Sequence, residues 1–197
     1  MRTRFLVVSS LALIGLAARL IGATAEPPTP IPPVFLRADL VVVARLTAVD
    51  LSIEPEGWAL ARVERTIKGT ASSPDILFSP GYTLTAGNSY LLFLQPAKPR
   101  FPLPTRDRLF SQRLPFFKLL NDFRRAFPLV PRLGLSRPHS SDPVSNVFQV
   151  DTEFWVVPES LRQESIRTET AGGWPVSLIP QEPMLAYLRG LLESGRK

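Results

Sequence analysis

The sequence has no cysteine and only one histidine, His139, in 197 residues. Without cysteine there is no disulfide framework, no thiol nucleophile, no cysteine-based zinc site and no c-type haem attachment. One histidine leaves no histidine-rich metal centre. His139 lies in Arg137-Pro138-His139-Ser140-Ser141-Asp142. A Ser/His/Asp triad needs base and nucleophile to meet in space, and adjacency in a polar, proline-flanked loop does not supply that geometry. The acids Asp39, Asp50, Glu64, Asp151 and Glu153 fall singly on strand edges or polar faces, without the pairing that glycoside hydrolysis needs. No EF-hand pattern is present, and neither Gly87 nor Gly172-Gly173 sits in a glycine-rich phosphate loop. No catalytic residue, metal or cofactor is expected, and no internal repeat is found.

Hydrophobic residues make up 45% of the chain and charged residues 20%, which permits a packed core. Proline is abundant at 21 residues, so long uninterrupted helices are not expected. At the start, Arg2 and Arg4 precede the apolar run Phe5 to Ala18, and Ala23-Thr24-Ala25 follows as an A-x-A site. That order predicts a secretory signal peptide over 1–25, cleaved after Ala25. The competing reading, an uncleaved anchor, would have to bury Arg19 to reach the ~20 apolar residues of a span. The expected location is secreted or periplasmic. Removing residues 1–25 takes away three arginines and no acid, so the formal charge falls from +6 to +3. So small a charge, with export, argues against a nucleic-acid partner.

Residues 26–34 begin with EPPTPIPP, five prolines in eight positions, and are expected to form an extended spacer. Strand signals then dominate 35–95. Asp39–Leu51 is apolar on both faces at its start and alternates later, which predicts a strand covered on both sides and then half exposed. Trp58–Ile67 alternates throughout, Ile76–Phe78 is a short third strand, and Tyr90–Leu94 is a fourth. Val147–Val157 shows the clearest period of two in the chain. Pro183–Glu193 sets Met184, Leu185, Leu188, Leu191 and Leu192 at helical spacing, which predicts a docked C-terminal helix.

Between them, residues 98–137 hold ten Lys and Arg against two Asp, a local balance of +8 that leaves the rest of the mature chain at −5. Within this segment, apolar positions 116, 119, 120, 123 and 127 share one face if the chain is helical, with Pro115 at its start and Pro128 after its end. A basic amphipathic helix is expected there. Its Lys118, Arg124 and Arg125, with Phe116 and Phe123, are the candidate contacts to an anionic surface or partner. The plainer reading packs the phenylalanines on the core and leaves the arginines as a solvated face. The hydrophobic residues of the mature chain are expected to close around one shared interior that excludes the basic segment.

Three local patterns carry a resemblance: Ala38-Asp39-Leu40-Val41-Val42-Val43-Ala44-Arg45-Leu46, Val63-Glu64-Arg65-Thr66-Ile67-Lys68-Gly69, and Leu84-Thr85-Ala86-Gly87-Asn88-Ser89-Tyr90-Leu91-Leu92-Phe93-Leu94. In this order and spacing the chain resembles exported bacterial proteins with a domain related to tissue inhibitors of metalloproteinases and netrin modules. The resemblance covers about residues 35–95 and implies an OB-like five-stranded barrel. Ala44 stands where the family usually has Gly. The animal inhibitors chelate protease zinc through an N-terminal Cys, so that mechanism is not available here. The expected fold is mainly β, an OB-like barrel of five to six strands over 35–197 with a C-terminal helix and a basic helical insert at 98–137. The expected function is an exported, non-enzymatic binding or interaction module for a protein or anionic surface. The alternatives are a peripheral membrane contact through residues 114–127 and a protease inhibitor that uses no Cys.

Overall fold

The computed structural model describes residues 27–50, 57–80, 84–99, 114–120, 126–131, 146–165, 168–171 and 174–195, with backbone alone at 131, 168–171 and 174. The leader expected over 1–25, His139, Phe123, Arg124 and Arg125 lie outside the described residues.

The barrel grows from strands that the alternation marks out. Strand β2 runs Leu40–Asp50, β3 Trp58–Lys68, β4 Asp75–Ser79, β5 Ser89–Pro96 and β6 Phe116–Leu119. Antiparallel pairing joins β5 to β2, β2 to β3 and β3 to β4; β6 then runs parallel to β4 and antiparallel to β5, closing the ring. Counted along the chain, the barrel order is one-two-three-five-four, that of an OB-like Greek-key barrel. Curvature comes from irregular pairing of β2 with β3, which shifts register at three places. At one of them Thr47 is left over between the Leu46 and Ala48 pairs, and its hydroxyl donates to the Leu60 carbonyl at 3.1 Å.

The barrel interior holds Leu40, Val42, Ala44, Leu46, Ala59, Ala61, Ile76, Phe78, Leu84, Tyr90, Leu92, Leu94 and Phe117, all buried. Alanines at 44, 59 and 61 keep this small interior from overfilling. Ala44, where the resemblance leads one to expect Gly, is fully buried there.

A second core lies on the other face of β2 and β5. From β5 the sheet continues through β7 (Phe127–Pro131), β8 (Asn146–Asp151), β11 (Trp174–Pro180) and β10 (Thr168–Ala171), all antiparallel. Val41, Val43, Leu91 and Phe93 point away from the barrel and pack with Phe127, Phe148, Val150 and Ile179. Helices α1 (Ile31–Arg37), α2 (Glu159–Glu164) and α3 (Gln181–Ser194) cover them with Ile31, Val34, Phe35, Leu161, Met184, Leu185 and Leu188. Phe93, Phe127 and Trp155 form an aromatic cluster, with Phe127 edge-on to Trp155 at 4.8 Å and to Phe93 at 5.7 Å. Such contacts add about 0.5–1.5 kcal/mol each beyond area burial. The apolar start of β2 is thus explained: alternate residues serve two cores back to back.

The structure corrects four sequence expectations. There is no single shared interior; two cores share β2 and β5, and Phe117, Leu120 and Phe127 of the basic segment are buried in them. The expected spacer over 26–34 is folded. Thr29–Pro30 forms β1, parallel to β9 (Trp155–Val156), and Ile31 opens α1. Pro32 and Pro33 are tolerated because the first helical N–H groups have no intrahelical acceptor.

The helix expected over 115–127 is replaced by β6 at its start and β7 at its end, with 121–125 outside the described residues. A helix at 116–119 would leave the facing edges of β4 and β5 without ladder partners; a strand satisfies both. Finally, the strand expected over 147–157 breaks at 152–154. Asp151 Oδ1 accepts from the Glu153 N–H at 3.0 Å, and Thr152 donates from N and Oγ1 to the Pro175 carbonyl. This local side-chain bond competes with the ladder and turns the chain.

The three patterns behind the family resemblance have structural duties. Lys68 Nζ donates to the Phe35 and Leu36 carbonyls at 2.9 and 2.7 Å and sits 5.3 Å over the Phe35 ring, capping α1. Gly69, at φ +79°, passes so close to Asp39 that a Cβ would lie 2.2 Å from its carbonyl oxygen. Gly87, at φ +92°, forms the turn into β5 and donates to the Leu46 carbonyl at 2.7 Å. The Tyr90 hydroxyl accepts from the Thr85 N–H.

Candidate functional site

The end of β5 is set by its prolines. Pro96 ends the ladder and Pro99 holds Lys98 extended, because the residue before proline is kept out of the helical region. This stretch runs beside β6, where the Ala97 N–H donates to the Phe116 carbonyl at 3.0 Å. Phe117 points into the barrel, so alternation turns Phe116 and Lys118 outward. Lys118 is register partner to Ser79 on β4 and to Gln95 on β5.

The result is a cleft of about 530 Å³ lined by Ser79, Pro96, Ala97, Lys98, Pro99, Phe116, Lys118 and Leu119. Lys98 and Lys118 are both exposed, and no carboxylate lines the cleft among the described residues. Prolines and the half-buried Phe116 and Leu119 provide an apolar floor. Two ammonium groups over such a floor suit an anion that carries some apolar or sugar-like bulk.

Of the five contacts expected from sequence, Phe116 and Lys118 line this cleft, placed there by a strand and not by a helix. The amphipathic helix on which a membrane contact through 114–127 depends is therefore not formed at 116–119. Phe123, Arg124 and Arg125 lie outside the described residues. Sequence reasoning did not single out Lys98; its lone signal was a lysine between two prolines, twenty positions from Lys118, and only barrel closure places both on one cleft.

Several charged groups elsewhere pair near the surface. Arg62 bonds Asp75 at 3.1 Å, Arg65 reaches Glu182 at 3.1 Å, and Ser89 donates to Glu64 at 3.1 Å. The hydrogen bond and charge of Asp75 raise the Arg62 pKa. Burial lowers that of Lys68, opposed by the charge of Asp39. Among the described residues no group of three His, Asp or Glu is placed to hold a metal ion, and no helix is long and apolar enough to cross a membrane. No family model matches the chain, and no curated protein matches it.

Proposed function

We propose that this protein is an exported, non-enzymatic binding module that takes an anionic ligand or partner in the cleft of Lys98 and Lys118. The carrying observation is that Lys98, just past the end of β5, and Lys118, on β6, line one concavity with no lining carboxylate among the described residues. Two further points support the reading. The order of charge, apolar run and A-x-A site over residues 1–25 is that of an export signal. The cleft also adjoins the connection between the fourth and fifth barrel strands, one of the two loops by which OB-like barrels take extended ligands, a fold-level analogy. We also infer kinship with netrin-like domains, on the three patterns whose structural duties are described above.

The test is salt-gradient elution from an immobilised sulfated polymer. Lys98→Glu and Lys118→Glu each elute at clearly lower salt than Arg189→Glu, an exposed substitution on α3 with the same charge change. Equal shifts for all three would mean that retention follows net charge, and the cleft would lose its role.

A further inference from the structure

A second concavity, of about 450 Å³, lies away from the barrel seam and is lined by Pro28, Thr152, Trp155, Val156, Val157, Arg162, Ser165 and Ser177. It forms where β1 and β9 meet α2 and β11. Two of its polar groups differ from ordinary surface residues. Ser177 is only 5% exposed, the one buried polar residue among the described residues, and it lines the cleft. Beside it, Thr152 Oγ1 donates to the Pro175 carbonyl and Ser165 Oγ to the Arg162 carbonyl. A hydroxyl so enclosed on the wall of a cleft is placed to donate to a group held there.

The second group is Arg162. Its Nε donates to the Val157 carbonyl at 2.9 Å, which fixes the plane of the guanidinium. Nη1 lies 3.7 Å from Glu159 across a solvent-exposed pair, too long and too wet to neutralise it. Nη2 has no partner among the described residues. Pro28, Val156 and Val157 supply apolar walls, and Val156 is one of two large hydrophobic side chains exposed among the described residues.

We propose that this cleft binds a small aliphatic carboxylate, with the carboxylate on the Arg162 guanidinium and the Ser177 hydroxyl and the chain against Pro28, Val156 and Val157. Arg162 is the one cation lining the cleft among the described residues, which matches a monoanion and not a phosphate dianion. A planar carboxylate also fits the guanidinium fork.

The experiment uses the purified protein with butyrate, hexanoate, butyramide and inorganic phosphate as probes, read by the indole N–H resonance of Trp155, which lines the cleft. Trp58→Phe and Trp174→Phe variants identify that resonance. Butyrate and hexanoate shift it saturably, hexanoate at lower concentration, because each added methylene buries more apolar surface. Arg162→Gln and Ser177→Val each weaken hexanoate binding about ten-fold or more, the scale of one lost charge-assisted bond or one blocked contact. Thermal melting of both variants is recorded alongside; if Arg162→Gln lowers Tm through its bond to Val157, Ser177→Val alone decides. Equal shifts with butyramide or phosphate, no saturable shift with any carboxylate, or unchanged binding in the deciding variant would each overturn the proposal.

Discussion

Replacing Gly69 by alanine tests how α1, β2 and β3 are tied together. Gly69 sits at φ +79°, where an L side chain costs about 1–2 kcal/mol. Space is the second cost. The new Cβ would lie 2.2 Å from the Asp39 carbonyl oxygen, 3.2 Å from its carbon and 3.3 Å from Leu40 Cα. Those atoms are backbone and cannot swing aside: the Asp39 N–H donates to the Leu94 carbonyl and the Ala38 N–H to the Val34 carbonyl. The chain at Lys68–Gly69 must therefore back away, stretching the two bonds from Lys68 Nζ to Phe35 and Leu36. Losing one such partly exposed, charge-assisted bond adds about 1.5 kcal/mol.

The expected total is about 3 kcal/mol, a large fraction of the ~5–15 kcal/mol that holds a domain folded. Two other glycines calibrate the measurement. Gly87 has φ +92° with nothing within 4 Å of a Cβ, so Gly87→Ala carries the backbone cost of about 1–2 kcal/mol alone. Gly190 lies inside α3 with open space around it, so Gly190→Ala stabilises by about 0.5–1 kcal/mol. Urea unfolding followed by circular dichroism ranks the three. If Gly69→Ala costs no more than Gly87→Ala, the close approach to Asp39 does not exist and the reasoning fails.

Two further outcomes are expected. Tyr187 packs half-buried against the second core, and burial raises its pKa above the usual 10.0. The unfolded chain then loses that proton first, so the stability contribution, complete below pH 10.0, is lost as pH rises through the higher folded value. Tyr187→Phe should flatten the alkaline fall of a Tm-against-pH curve, and an unchanged curve would remove Tyr187 as its source. Trp58 Nε1 is buried without a hydrogen-bond partner among the described residues, so Trp58→Phe removes an unmet donor and should leave stability within about 1 kcal/mol of the parent. A loss of several kcal/mol on urea unfolding would show that the indole N–H is satisfied after all.

Four of the five barrel strands were legible because their constraint is local. Trp58–Lys68 alternates along its length, and β2 announces burial on both faces by its run of valines. Helix α3 was equally plain from its leucine spacing. Helix α1 was readable too, in Ile31, Val34 and Phe35 at positions i, i+3 and i+4, but the prolines drew attention to extension. At Phe116-Phe117-Lys118-Leu119, helical and strand periods both fit so short a run, and nothing within the run chooses between them.

By its own sequence this protein settled its chemistry and its local periods. It has no thiol and one imidazole, and it has strands that alternate and a terminal helix with one greasy face. Tertiary structure settled what depends on distant partners. The open edges of β4 and β5 made residues 116–119 a strand, and closure of that ring put Lys98 and Lys118 on one cleft. The outer faces of β2 and β5 likewise became the floor of a second core once β7, β8 and the helices covered them. Periodicity is written along the chain, whereas the partner that satisfies an exposed strand edge or apolar face appears only when the chain folds back on itself.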